Sequence, residues 1–371
     1  MKARSIPFAA SFGLLFAIFL TPDISPAQTT ASNRTEFAYA VNQNSNNLSA
    51  FKVGATGALA PLALPTYTTG SAPNGVAIDP TGHFMYVVNV LTNNISGYSI
   101  ASNGSLTPIP GSPFATGSGP GWITIDPSGK YAYAANCAAL CSGTGLGTVS
   151  GYAINKTTGA LAPVPGSPFT AGNIPYAVAV DPTGSFAYVV NYNSNDISVF
   201  KIDQCSGSLW ASTESIPTGG MNPLYLTLDP HGRFLYISNT GSSNVSAFAV
   251  GSNGTLTPVP GSPFATSDFT QGVSVDSSGS FVYVSAGFEV LGYSIGAAGD
   301  LTPLSGSPYV SPGFLVSITV DRTGHFVYAA ATSSGVAAYS IDATTGNLTA
   351  VTGSPFAAGA NTAFVTTTLA H

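Results

Sequence analysis

An alternation of aromatic and small apolar residues returns at a nearly constant interval along the chain. It reads Phe37-Ala38-Tyr39-Ala40-Val41-Asn42, then Phe84 to Asn89, Tyr131 to Asn136, Phe186 to Asn191, Phe234 to Asn239, Phe281 to Ser285 and Phe326 to Ala330. The central tyrosines are spaced 47, 47, 55, 48, 47 and 45 residues apart. A second marker, Gly-x-Leu, begins at Gly57, Gly104, Gly159, Gly207, Gly254, Gly299 and Gly346. Two independent markers with the same count predict seven structural units, and self-similarity at this period points to a repeat architecture.

Each unit reads as four short strands. In the second, Gly75 to Ile78 is an apolar run suited to a strand covered on both faces. Asp79-Pro80-Thr81-Gly82 has the residues of a type I turn. Phe84 to Asn89 follows as a second strand, Asn93-Asn94 turns into a third over Ile95 to Ile100, and Asn103-Gly104 turns into an outer one through Leu106. Four strands per period of about 45 residues make the blade of a β-propeller. The first unit lacks the Asp turn before Phe37, and Ala363 to Leu369 supplies an inner strand at the far end. One blade is therefore expected from both termini, which removes two exposed sheet edges. The prediction is all-β: a single seven-bladed propeller over residues 28–371, with four-stranded antiparallel blades.

The segment before it reads differently. Lys2 and Arg4 precede an apolar run from Pro7 to Leu20, and Ser25-Pro26-Ala27 presents small residues at a cleavage position. This is the order of a secretory signal peptide, expected over 1–27, with an uncleaved anchor as the alternative. The run is short for a spanning helix, and no later stretch is apolar enough to cross a bilayer. Export to a bacterial periplasm, cell surface or medium is the expectation. It would let Cys137 and Cys141, close together in one loop, form a disulfide and leave Cys205 unpaired.

Charge narrows the function. Only 6% of residues are charged, with Lys+Arg 9 against Asp+Glu 15, so the chain has no clustered cations for a nucleic-acid backbone. With three cysteines and four histidines, a Cys/His zinc site is not expected. The six Asp turns, at Asp79, Asp126, Asp181, Asp229, Asp276 and Asp321, are dispersed one per blade and read as turn caps, not as a converging calcium site. No phosphate loop, dinucleotide fingerprint or Gly-x-Ser-x-Gly elbow occurs, so no metal or cofactor is predicted.

The Tyr-Val-Val-Asn core at 86–89 and 188–191, each preceded by Asp-Pro-Thr-Gly, resembles the seven-bladed lactonase family with its YVTN-type repeats. That family includes propeller-type 6-phosphogluconolactonases and related muconate-lactonising cyclases. The resemblance runs over the whole chain after the leader. It implies hydrolysis of a lactone or ester by His, Arg and Glu around the upper central channel, the end opposite the Asp turns. The matching positions here hold Asn74, Trp122, Tyr176, Asn222, Tyr225, Gln271, Phe314 and Asn361.

Following the strand directions, the basic side chains and histidines of the mature chain fall on or near the lower face, with the Asp turns. The upper face keeps Asp196, Asp268 and Glu289. A phosphorylated sugar lactone needs cationic partners for its phosphate, so 6-phosphogluconolactone is a poor expected substrate. Asp268 and Glu289 lie at the top of one blade and are the candidate catalytic pair, since two close carboxylates drive their pKa values apart into a base and an acid. They also read as two solvated loop charges. Trp122, Tyr176 and Tyr225 could stack on a flat ligand face, while Asn74, Asn222, Gln271 and Asn361 supply hydrogen bonds. That group suits a small neutral ligand or glycan, or it plugs the channel and caps strand ends. The two functional readings are hydrolysis of an unphosphorylated lactone or ester, and non-catalytic binding of a glycan or envelope protein by a monomer.

Overall fold

The structure is a computed structural model, and it describes residues 35–137, 145–212 and 215–371. The expected leader, Cys141 and Arg34 lie outside the described residues. Cys137 is disulfide-bonded and Cys205 is a free, exposed thiol.

Seven antiparallel sheets of four or five strands form the ring, with no helix among the described residues. The inner strands are Pro73–Ile78, Pro120–Ile125, Pro175–Val180, Pro223–Leu228, Thr270–Val275, Leu315–Val320 and, from the C-terminal end, Thr362–Leu369. The last of these pairs with Glu36–Asn42, followed by Asn47–Val53 and Leu59–Thr68, so one blade is built from both termini as expected. We number this clasp blade 1 and continue around the ring in chain order to blade 7.

The two markers turn out to be partners. Each central tyrosine is buried and donates its hydroxyl to the glycine carbonyl of Gly-x-Leu in the next blade. Tyr39 Oη lies 2.7 Å from the Gly104 carbonyl, Tyr236 Oη 3.0 Å from that of Gly299, and Tyr328 Oη 2.9 Å from that of Gly57, which closes the circle. The aromatic ring that opens each hexapeptide packs against the same glycine. A Cβ at Gly104 would sit 2.4 Å from Phe37, and the backbone there, at φ +81, is in the left-handed region that glycine favours.

The Asp turns cap the lower ends of the blades. Asp79 Oδ1 accepts from the Phe84 N–H at 2.7 Å and Oδ2 from the Thr81 N–H at 3.1 Å, and Asp126, Asp181, Asp276 and Asp321 repeat the pattern. Asp229 also receives the Arg233 side chain at 2.9 Å. At the upper ends of blades 1–5 a buried asparagine does the equivalent work. Asn239 Nδ2, for example, donates to Asn244 Oδ1 at 2.8 Å and Ser246 Oγ at 2.7 Å. Blades 6 and 7 carry Ala286 and Ala331 there instead.

Candidate functional site

Every inner strand slips register at its upper end, most visibly between Thr270 and Val273 and between Pro73 and Val76. A bulge re-aims the local side chains, and here it sets what crosses the channel. Two residues into the inner strands, going round from the clasp, stand Phe364, Gly75, Trp122, Ala177, Tyr225, Gly272 and Ser317. Three large rings thus alternate with small residues. A Cβ on Gly75 would come within 2.8 Å of the Trp122 backbone, so the absence of a side chain there makes room for the indole.

The rings meet. Trp122 packs edge-on against Tyr225 with centroids 5.1 Å apart and against Phe364 at 4.7 Å, and Tyr176 meets Tyr225 at 5.7 Å. Asn74 Nδ2 donates to the Gly121 carbonyl at 3.0 Å and to Tyr176 Oη at 3.3 Å. Burial pushes both the Tyr176 and the Tyr225 phenol above their usual range. Asn74, Trp122, Tyr176 and Tyr225 therefore do come together, but as an aromatic bar that blocks the channel. Phe364 belongs to that bar and was not among the expected residues. Aligning the C-terminal strand with the other inner strands would have placed it at the Trp122 position.

Below the bar the channel reopens into a cavity of about 400 Å³, roofed by Trp122 and walled by Thr124, Ala179, Leu226 and Thr227. The concavity on the axis thus lies beneath the expected upper site.

The remaining candidates divide. Asn222, in the left-handed region at φ 53, takes the Asn195 side chain on its N–H at 2.6 Å and gives its amide to the Tyr192 carbonyl at 3.2 Å. Asn361, at φ 55, gives its amide to Gln43 Oε1 at 2.8 Å. Asn222 ties the loop entering blade 5 to the upper loop of blade 4, and Asn361 ties the loop entering the clasp to the turn after the clasp's second strand. Gln271, at the bulge of blade 6, is half-buried and its amide makes no hydrogen bond among the described residues.

Blade 6 also carries both acids. Asp268 is exposed; Oδ1 accepts from the Phe269 N–H at 2.7 Å, and Oδ2 lies where a Cβ on Gly287 would be, 2.2 Å away. Glu289 Oε2 accepts from Ser267 Oγ at 2.7 Å. Each carboxylate has its own partner, and no hydrogen bond joins the two. Asp196, in blade 4, accepts from the Asn191 amide at 2.7 Å and from Ser194, a turn role.

The strand directions place Lys52, His83, Lys130, Lys156, Lys201, His231, Arg233, Arg322, His325 and His371 at or beside the lower ends of the strands. Among the described residues the upper end holds Asp196, Asp268 and Glu289 and no cation.

Similar solved structures share this architecture. The Pseudomonas aeruginosa periplasmic gluconolactonase PpgL superposes with a TM-score of 0.75 at 16% identity, covering 91% of this chain and 99% of that one. A candidate 6-phosphogluconolactonase from Bacteroides uniformis gives 0.74 at 18% identity, covering 90% and 99%. A protein of unknown function from Desulfotomaculum acetoxidans gives 0.72 at 15%, also covering 90% and 99%. At these identities the likeness is one of fold. No curated protein matches the chain significantly. The sequence profile described as "Lactonase, 7-bladed beta-propeller" matches residues 20–113 and 69–267, more than half of the chain. With seven blades, a shared clasp and that match, the chain belongs to the seven-bladed β-propeller lactonase family.

Proposed function

We propose that this lactonase-family propeller hydrolyses an unphosphorylated lactone or ester at the lip of blade 6, beside the upper mouth of the channel. One observation carries the reading. The other polar candidates are tied into loops or into the aromatic bar, while blade 6 offers an exposed carboxylate, Asp268, and the Gln271 amide, which has no hydrogen-bond partner among the described residues. Asp268 takes a proton from water as the water oxygen bonds to the acyl carbon. The Gln271 N–H stabilises the oxyanion, the ring C–O bond breaks, and Asp268 returns the proton to the departing alkoxide. Glu289 holds Ser267 and so keeps the lip in place. A phosphorylated lactone finds no cation among the described residues at this end, which supports a neutral substrate.

The expected outcome is turnover of unphosphorylated lactones, lowered about a hundredfold in Asp268→Asn and less in Glu289→Gln. A blank panel, or equal rates in wild type and Asp268→Asn, ends the proposal. The second reading, a non-catalytic binder of a glycan, is favoured by the closed aromatic bar, whose rings satisfy one another. Binding to a glycan array without turnover of any lactone would establish it instead.

We also assign the mature protein to the periplasm or cell surface. The signal-like segment supports this, as does the PpgL likeness, a protein itself described as periplasmic. Cell fractionation of the tagged full-length protein tests it, and recovery in the cytoplasm at its full length would refute it.

A further inference from the structure

The sevenfold repeat supplies its own control for what is unusual. In blades 1–5 the second strand ends on a buried asparagine, and in blade 5 four residues follow before the third strand begins at Asn244. Blade 6 abandons this. Its strand ends on Ala286, and only Gly287 and Phe288 separate it from Glu289. The tip of that tight hairpin is therefore a phenylalanine, 55% exposed.

Other apolar groups converge on the same tip. Phe314, from the neighbouring blade, packs edge-on against Phe288 with centroids 5.6 Å apart. Phe269, 56% exposed, accepts the Gly287 N–H on its carbonyl at 3.1 Å. Val310, 78% exposed, lies directly across from Glu289 in the sheet, and the next residue, Ser311, donates its N–H to the Phe288 carbonyl at 2.8 Å. Four large apolar side chains thus share one surface, flanked by Asp268 and Glu289.

Blade 7 also ends this strand on alanine, Ala331, but among the described residues blade 6 alone puts a large exposed aromatic residue at the tip that follows, which breaks the local rule of the repeat. Such breaks mark function more often than packing. The charge around the patch says what fits it. Among the described residues no lysine, arginine or histidine occupies this end of the molecule, and two carboxylates border the rings. Anionic lipid and acidic protein are repelled; a cationic partner is attracted and can stack on the aromatic faces.

We propose that the Phe269, Phe288, Phe314 and Val310 surface docks a polypeptide segment of another protein in which lysine or arginine residues flank large apolar ones. The apolar side chains bury against the phenylalanines and the cations meet Asp268 and Glu289. The proposal is independent of the hydrolytic reading, since it requires no reaction at Asp268.

Binding is measured by fluorescence anisotropy on the full chain with a labelled peptide of about twelve residues alternating lysine and leucine. Its glutamate-for-lysine and serine-for-leucine counterparts are the controls. The expected result is binding of the first peptide about tenfold or more tighter than either control, weakened by salt. Phe288→Ser and Val310→Ser each weaken it by a similar factor, while Trp210→Ser, which removes an exposed ring on the outer strand of blade 4, leaves it unchanged. Unaltered circular dichroism of the variants shows that loss is not unfolding. Equal binding of the glutamate peptide, or no effect of Phe288→Ser and Val310→Ser, overturns the proposal. So does binding to phosphatidylglycerol vesicles that Phe288→Ser abolishes, or self-association by ultracentrifugation that the same substitution abolishes, since either names a different occupant.

Discussion

Glu36 shows how one residue responds to its place in the ring. It stands at the start of the clasp blade's second strand, where the other blades have an Asp turn immediately before that strand, and it is buried. Burial and the facing Asp321 carboxylate push its pKa up from 4.5 to about 8, against a smaller opposing effect of Thr367. A carboxyl whose folded pKa is raised stabilises the fold fully below its unfolded value, and that stabilisation is lost as pH rises through the folded value. Thermal stability is therefore expected to fall between about pH 4.5 and pH 8, by on the order of 5 kcal/mol for this group. Glu36→Gln keeps the shape and removes the ionisation, so its melting temperature should vary less over that window. Parallel calorimetric pH profiles for the two proteins would refute the assignment. Trp122 poses a different single-residue question. Its truncation to alanine removes the roof of the 400 Å³ cavity. The cost expected from chemical denaturation is about 3 kcal/mol, with a channel then open from end to end to small apolar probes.

Between blades, the tyrosine-to-glycine hydrogen bonds are what make seven similar sheets into one ring. Tyr328→Phe deletes the bond to the Gly57 carbonyl, where the last blade meets the clasp. It leaves a carbonyl without its donor, at an expected cost of about 1–2 kcal/mol. Denaturant unfolding should show a shifted midpoint with unchanged slope, and no shift would mean that water replaces the phenol. The recurrence of these elements was readable from the chain, because each blade repeats the same local chemistry: an apolar run, an Asp turn, an aromatic hexapeptide and a Gly-x-Leu turn. That the last two markers bond each other across blades was not readable, since the partners lie 63 to 74 residues apart within the chain and 271 apart at closure.

For the whole molecule, closure by the C-terminal strand carries most weight. Thr362–Leu369 pairs with Glu36–Asn42 over the full length of that strand. Deleting residues 362–371 exposes its edge and uncovers the Phe364 position in the bar. The truncated chain is expected to aggregate, and a soluble, monomeric truncation by gel filtration would contradict a closing role for the strand. The charge asymmetry belongs to the molecule as a whole as well. It follows from strand direction alone, so the chain already showed an upper end without cations among the described residues.

From the chain alone came the count of seven, the four-stranded unit, the shared blade and the polarity of the two faces, because periodicity and turn chemistry are local and act on neighbouring residues. Folding in three dimensions decided the rest. Trp122, Tyr225 and Phe364 become neighbours only once the ring has closed at a particular radius, and whether their rings line a ligand site or bar the channel depends on that distance. Likewise, Asn222 and Asn361 were committed to adjacent loops, and Asp268 and Glu289 were given separate partners. A side chain's partners across an axis are set by the closed geometry, which no stretch of sequence contains.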